Sequence, residues 1–160
     1  ENLMDLDLHL TADINILRAN YKDKNYRIRA NIAENPNCPL DIMFELSRDK
    51  SKSVKLSLSI NDNCTSELLF NLAKEVNRNI FSNILQHKNC NLETLNYIFS
   101  IIENNINSNL FYIYNSRVLI MYITQHPNSD LKLLKNIYSS HKNFIHFIKK
   151  HPNWKFSEFE

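Results

Sequence analysis

The most informative property of this 160-residue sequence is that it contains no glycine. P-loops, dinucleotide-binding fingerprints, nucleophile elbows and the glycine-rich loops of kinases all need backbone conformations or close approaches that only glycine supplies. These nucleotide-binding and hydrolase sites are therefore excluded from the 160 residues. Two-residue β-hairpin turns also favour glycine at positive φ, so an all-β fold is disfavoured and we expect a helical protein.

Long apolar runs and a strong charge imbalance are also missing. No stretch approaches the roughly 18 apolar residues of a membrane-spanning helix, and the N-terminus has no basic-then-apolar leader. We therefore expect a cytoplasmic protein without membrane contact. The net charge of +2 is too small to indicate a class of binding partner. Because the first residue is Glu1 rather than Met, we expect the chain to be a piece of a longer protein.

A five-residue motif recurs along the chain. Its copies are Asn35-Pro36-Asn37-Cys38-Pro39 and residues 61–65, 87–91, 126–130 and 151–155. The third residue is Asn in every copy, and successive copies lie 26, 26, 39 and 25 residues apart. The period is thus about 26 residues with one insertion of 13, which is typical of a repeat protein.

Apolar residues before and after each motif have helical spacing. Before the motif they are four apart, which predicts a short first helix, and after it they are three apart, which predicts a second helix with one buried face. The first-helix pairs are Ile28/Ile32, Val54/Leu58, Ile80/Ile84, Leu119/Ile123 and Phe144/Ile148. The second-helix residues are Leu40, Met43, Leu46, Leu69, Leu72, Leu92, Leu95, Ile98, Leu131, Leu134 and Ile137.

Helix-capping residues recur at the same repeat positions. The column in which we expect each first helix to begin holds Asn25, Ser51, Asn77, Ser116 and His141, four of which suit an N-cap. We expect the second helices to begin at Cys38, Cys64, Cys90 and Ser129. An acidic residue follows three positions later in the first three of these, which resembles a capping box.

A single helix pair cannot bury its apolar face, whereas stacked pairs share a continuous core. We therefore predict an all-α fold, an α-solenoid of about five two-helix repeats of roughly 26 residues that forms one domain over residues 1–160. The expected boundaries are a partial repeat at 1–24 with a helix over 11–21, repeats at 25–50, 51–76, 77–115 and 116–140, and a terminal cap at 141–160. Trp154, Phe156 and Phe159 could cover the last groove.

Several of these residues resemble the leucine-rich repeat variant family. The resemblance lies in Asn-Pro-Asn-Cys-Pro at 35–39, the Leu/Met ladder, Asp49, and Val54-Lys55 at the start of the next unit, and it covers residues 26–100 and, more loosely, 116–155. It implies a right-handed, HEAT-like superhelix of paired helices. Some members carry an iron–sulfur cluster on clustered N-terminal cysteines, which this sequence does not have, so we expect no cofactor.

Cysteine and histidine side chains invite a metal or catalytic interpretation, which their spacing disfavours. Cys38, Cys64 and Cys90 occupy one column, so stacked helices would hold them about 8–10 Å apart, too far for a disulfide or a shared ion. The same argument separates His87, His126 and His151. We expect structural roles, with no metal site, no catalytic residue and no small-molecule substrate.

Basic residues form the candidate binding positions. A column at the start of the first helices reads Tyr26, Lys52, Arg78, Arg117 and Lys142, where a cation opposes the helix dipole. Two explanations stay open. Either the cations pair with Asp49 and Glu75, three residues upstream of Lys52 and Arg78, or are simply solvated; or they form a ridge that contacts phosphates or an acidic protein surface. Further candidates in the basic C-terminal quarter are Lys132, Lys135, Lys149 and Lys150.

The insertion at 101–115 is rich in Asn and aromatic residues. We expect the flanking helices to extend into it by about two turns and to meet near residues 104–107. Phe111, Tyr112 and Tyr114 suit either a packed elbow or a binding arm.

The leading functional hypothesis is a non-enzymatic scaffold for protein–protein interaction, since solenoids offer extended surfaces rather than deep pockets. The first alternative is a HEAT-like module that binds the phosphate backbone of nucleic acid. The second alternative is a structural segment of a larger assembly or enzyme.

Overall fold

The structure, a computed structural model, describes Leu8, residues 10–105 and residues 113–154. Within these ranges the chain is helical and contains no strand, which confirms the all-α prediction. The chain divides into two compact units, Glu1–Asn89 and Cys90–Glu160. The division falls inside the third motif, between Asn89 and Cys90.

The first unit consists of short helices joined by short turns. The described helices are α1 (Ile14–Asn20), α2 (Tyr26–Glu34), α3 (Leu40–Leu46), α4 (Lys52–Ser59), α5 (Ser66–Ala73) and α6 (Arg78–Gln86). Helices α2, α4 and α6 are the predicted first helices, and α1, α3 and α5 are the second helices. The most extensive helix–helix packing joins α2 to α4, and α4 packs in turn on α6.

The second unit begins with the two longest helices. Its described helices are α7 (Leu92–Asn105), α8 (Ile113–Gln125), α9 (Leu131–Ser140) and α10 (Ile145–Ile148), with a 3₁₀ turn at Lys142–Phe144 before α10. Helix α7 runs beyond Ser100 and α8 begins before Ser116, as the apolar pattern around the insertion predicted. The first helix of the terminal repeat is reduced to the 3₁₀ turn and α10.

The predicted first-helix residues form the cores of the two units. Ile28, Ile32, Val54 and Leu58 in the first unit and Leu119, Ile123 and Ile148 in the second are at most 6% exposed. Most second-helix positions are buried as well, Met43 and Leu72 among them. Leu40 and Ile14 are exceptions, because 46% and 47% of their surfaces remain exposed.

The turns are built without glycine. Within the described ranges no residue has a positive φ, so no turn needs the conformation that glycine favours. In the first, second, fourth and fifth turns that contain the motifs, the amide of the fourth residue donates to the carbonyl of the first, as from Cys64 to Asn61 at 2.9 Å and from Ser129 to His126 at 2.9 Å. We call the five turns that contain the motifs the motif turns.

The start of each second helix lies one residue later than the sequence analysis expected. The N-caps are Pro39, Thr65 and Asp130, and Asn91 accepts the amide of Thr94 in the same manner. The predicted capping boxes at the cysteine column are therefore wrong. Instead, all three cysteines are buried, and the Cys64 thiol donates to the Leu58 carbonyl at the end of the first helix at 3.1 Å.

Two first-helix caps also differ from the prediction. Asn25 and Asn77 accept backbone amides of the first turn as expected. Ser51 occupies the N-cap position without a side-chain bond to the helix, and Ser116 lies inside α8 because that helix begins at Ile113. Within the described part of the chain, no helix has the length and apolar character needed to cross a membrane.

Candidate functional site

In the second, third and fifth motifs, the first residue bonds its own motif turn to the preceding one. Asn61 donates through Nδ2 to the carbonyls of Ala33 and Asn35, both at 2.9 Å, and its Oδ1 accepts the Asn63 amide at 3.0 Å. Asn35 makes the equivalent bonds to Leu8 and Thr11. Each side chain thus closes its own turn and fastens it to the preceding one.

Histidine performs the same task where it replaces Asn. In the first unit, His87 Nδ1 accepts the Asn89 amide at 3.1 Å and Nε2 bonds the Asn61 carbonyl at 3.1 Å. In the second unit, His151 bonds the Asn153 amide and the His126 carbonyl in the same way. These histidines are at most 7% exposed, so their ring nitrogens are committed to the backbone.

The third residue of each motif adds a second bond between turns. Its side-chain amide donates to a backbone carbonyl of an earlier turn: Asn63 to Pro36 at 2.6 Å, Asn89 to Cys64 at 2.8 Å and Asn153 to Ser129 at 2.8 Å. The repeat register predicted an Asn at this place in every turn, but not the acceptors of these side chains, which belong to the neighbouring repeat.

The three cysteines are free, buried thiols. Burial raises the pKa of Cys38, Cys64 and Cys90 to about 12 in each case, well above the ordinary range of a thiol. Ser129 occupies the same column in the fourth repeat, and its hydroxyl donates to the Ile123 carbonyl at 2.6 Å. Cys64 and Ser129 therefore join their motif turns to the end of the first helix, whereas the Cys38 and Cys90 thiols donate to the carbonyl of the next residue at 3.8 and 3.9 Å.

Acidic residues expected to pair with the cation column pair elsewhere. Asp49 binds Arg29 through two hydrogen bonds of 2.6 and 2.9 Å, and Glu75 binds Lys55 at 2.7 Å. Lys52 reaches Glu75 only at 3.7 Å, and among the described residues Arg78 forms no ion pair. The predicted pairs of Lys52 with Asp49 and of Arg78 with Glu75 are therefore wrong, because each acid faces back to the preceding first helix.

The Arg29–Asp49 pair is almost fully enclosed, with 7% and 10% of the two side chains exposed. Arg29 also donates to the carbonyls of Asp23 and Lys24, and the Ser51 amide donates to Asp49. Burial alone raises the pKa of Asp49, but the bonds from Arg29 and Ser51 outweigh it and hold that pKa below the ordinary value. The pair fastens two successive turns between repeats.

We call the turns at residues 21–25, 47–51 and 74–77 of the first unit the return turns, since each leads from a second helix to the next first helix. Together with the adjacent parts of the first helices they form a surface that we call the basic edge. Its exposed cations are Lys22, Lys24, Arg27, Arg48, Lys50, Lys52, Lys74 and Arg78.

A cleft of about 360 Å³ opens between the first two return turns. The Arg29–Asp49 pair and Leu46 line it together with Tyr21, and Lys22, Lys24 and Lys50 also contribute to its lining. The carboxyl groups of Asp23 and Glu45 lie in the same cleft, so its charge is mixed.

The cations predicted in the second unit are mainly exposed. Arg117, Lys132, Lys142, Lys149 and Lys150 are exposed, and Lys135 is half-buried. Phe111 and Tyr112 lie outside the described residues, as does the side chain of Tyr114, so the role predicted for these aromatics stays a prediction.

One contact in the second unit had no signal in the sequence. His141 Nε2 lies 2.5 Å from Glu103 Oε1, and the His141 ring packs edge-on against Phe99 and Phe144. Glu103 belongs to the extended part of α7, and His141 separates α9 from the 3₁₀ turn. The contact connects the insertion to the terminal repeat.

Among the described residues, no three His, Cys, Asp or Glu side chains are grouped so that they could hold a metal ion. Comparisons of the chain with protein-family models, with curated proteins and with solved structures gave no match.

Proposed function

We propose that this chain is a non-enzymatic scaffold that binds a protein partner in the cytoplasm. In this proposal the helix pairs form a right-handed α-solenoid of about five repeats, similar to the leucine-rich repeat variant family. The observation that carries the proposal is the recurring bonding between motif turns. It commits the residue types most able to perform chemistry, the motif histidines and the cysteines, to structural bonds.

Large apolar side chains left on the surface support a protein partner. In the first unit, Tyr26, Leu40, Ile60 and Val76 keep 44%, 46%, 49% and 52% of their surfaces exposed. Apolar and aromatic side chains of this kind anchor protein interfaces, whereas a phosphate backbone offers them little to contact.

The binding function is tested by capture from a lysate that has been treated with nuclease. The immobilised chain should retain a defined protein, which is then purified and titrated against the free chain by calorimetry. Saturable binding of the purified protein supports the scaffold. Retention of no protein, together with saturable binding of duplex DNA at physiological salt, would overturn it.

The repeat architecture is tested by deletion. Removing residues 51–76 takes out one whole period, so a solenoid should remain folded and keep a helical circular dichroism spectrum. Removing residues 51–63 takes out half a period and breaks the bonds between turns, so that variant should not fold. Loss of folding in both variants would contradict the solenoid.

A specific observation also favours the nucleic-acid alternative, namely the exposed cations of the basic edge. Phosphate contacts need exposed Lys and Arg, and Arg117 and Lys142 in the second unit provide more of them. Because carboxyl groups lie among the cations in the cleft, we place this function second.

A further inference from the structure

The basic edge carries a charge opposite to that of the rest of its unit. Residues 21–29, 45–55 and 74–78 contain ten cations and four acids, whereas the other residues from 8 to 89 contain two cations and five acids. The two compositions show that the excess positive charge of the first unit is confined to one edge. A partner with negative charge would therefore be attracted to this edge.

Two of the four acids on the edge are already neutralised. Asp49 is enclosed with Arg29, and Glu75 is bound to Lys55 with a side-chain exposure of 22%. These pairs leave the outward-pointing cations in excess, since only Asp23 and Glu45 remain beside them. The ion pairs thus fix the turns while the exposed lysines and arginines stay available.

The composition of the cleft favours a peptide over a phosphate backbone. A nucleic-acid strand carries a phosphate at every nucleotide and would be repelled by Asp23 and Glu45. A peptide can place its own neutral or basic residues there. Tyr21 in the same cleft, and the exposed ring of Tyr26 nearby in sequence, suit peptide side chains.

The repeat spacing sets the form of that peptide. The three return turns follow one another along the edge, since Arg29 joins α2 to the second return turn and Lys55 joins α4 to the third. Packed helices are about 8–10 Å apart, and an extended chain advances about 3.3 Å per residue. One repeat therefore corresponds to about three residues of an extended peptide.

We propose that the basic edge is the docking surface for an extended acidic segment of a partner protein, with an acidic side chain at about every third residue. This proposal rests on the proposed scaffold function and specifies its partner. The segment runs across the return turns, and its carboxylates contact cations of successive repeats, such as Lys24, Lys50 and Arg78.

The test uses the full chain and a fluorescent peptide of about ten residues with Glu at every third position. The edge variant replaces Lys24, Lys50 and Arg78 by Gln. The control variant, Lys88→Glu with Gln125→Glu, lowers the net charge by the same amount at exposed positions outside the edge. Fluorescence anisotropy measures each affinity, and capture from nuclease-treated lysate is repeated with all three proteins.

We expect the peptide to bind the unmodified chain saturably. Its affinity for the edge variant should be about tenfold weaker, and its affinity for the control variant should change by less than about twofold. A peptide with Gln in place of Glu should not bind. Loss of lysate capture in the edge variant alone supports the same docking surface.

Three results would overturn the proposal. Equal weakening in both variants would show that only net charge matters. A duplex of equal formal charge that binds more tightly than the peptide, and is lost in the edge variant, would identify a nucleic-acid surface. Equal capture of one protein by the chain and the edge variant would move docking elsewhere and leave the scaffold intact. The scaffold itself would be overturned by the separate result given above, in which no protein is retained and duplex DNA binds saturably at physiological salt.

Discussion

His87 bonds the Asn61 carbonyl through Nε2 at 3.1 Å, although the two residues are 26 positions apart and occupy the same place in successive motif turns. Asn61 makes the corresponding bond to Asn35 at 2.9 Å. An imidazole and a carboxamide can substitute for each other here because each offers an acceptor to its own turn and a donor to the preceding turn. The bonds made at this position are therefore the same whether Asn or His occupies it.

Replacement of His87 tests this equivalence. His87→Ala leaves the Asn61 carbonyl and the Asn89 amide without their partners in a buried turn, so we expect a loss of about 2–3 kcal/mol in the free energy of unfolding. His87→Asn restores both bonds and should cost less than about 1 kcal/mol. Urea denaturation followed by circular dichroism measures both values. Equal losses in the two variants would show that the ring is held by packing alone.

The third motif position should contribute less. Asn63 is exposed, and Asn63→Ala removes the bond to the Pro36 carbonyl at 2.6 Å. We expect a loss of about 1 kcal/mol, the usual net contribution of one hydrogen bond. Asp62→Ala, at the neighbouring exposed position, serves as the control and should stay within about 0.5 kcal/mol. An unchanged melting temperature for Asn63→Ala would contradict a structural role.

The motif turns show which features of the fold can be predicted from the sequence and which cannot. The period of about 26 residues predicted which residues face inward, since helical spacing fixes the side of the helix on which Ile32 or Leu58 lies. It could not predict the acceptor of Asn61, because a bond across 26 residues depends on how closely two turns stack. The helix start was misplaced by one residue because Cys64 was interpreted as a cap, whereas its thiol donates to the preceding helix.

The partners in the ion pairs are a second feature that could not be predicted from the sequence. Asp49 stands three residues before Lys52, which suggests a local pair, yet it binds Arg29 twenty positions away. Sequence spacing shows which charges are near one another along the chain but not which way a turn faces. Of the exposed cations on the basic edge, the sequence analysis had named Lys52 and Arg78 only. The others, such as Lys24 and Lys50, could be grouped with them only once the return turns were seen side by side.

The Arg29–Asp49 pair predicts an acid-sensitive contribution to stability. The pKa of Asp49 is held below its ordinary value, so the pair stabilises the fold fully above about pH 4 and loses this contribution as the pH falls through the lowered pKa. Asp49→Asn should lower the free energy of unfolding at pH 7 by about 3 kcal/mol, because Arg29 is left enclosed without its counter-charge.

The free energy of unfolding of Asp49→Asn should also decline less steeply below about pH 4 than that of the unmodified chain, since the variant lacks this carboxylate. Urea titrations at pH 7, 5 and 3 give the two curves. Parallel curves over the whole range would show that the pKa of Asp49 does not change on folding, which would contradict the acid-sensitive contribution. Asp62→Asn, an exposed acid on the other side of the unit, is the matched control.

Thiol reactivity reports the role of the cysteine column. Burial raises the pKa of Cys38, Cys64 and Cys90 to about 12, so almost no thiolate exists at pH 8 and the groups are shielded from reagent. We expect Ellman's reagent to react slowly with the folded chain and rapidly in guanidinium. A Ser53→Cys variant, with its new thiol on an exposed position of α4, should react at once. Rapid modification of all three native thiols without denaturant would contradict their burial.

Duplex binding separates the two leading functions. Because the cations of the basic edge are interspersed with Asp23 and Glu45, we expect duplex DNA to bind only weakly and to be released by about 0.15 M salt. Arg78→Glu, Arg117→Glu and Lys142→Glu together should abolish the residual binding and leave the helical spectrum unchanged, since all three residues are exposed and form no ion pair among the described residues. Mobility shifts at several salt concentrations measure the slope of affinity against salt. Saturable binding that resists salt and vanishes in the triple variant would make nucleic acid the physiological partner, because rim charges alone do not sustain such affinity.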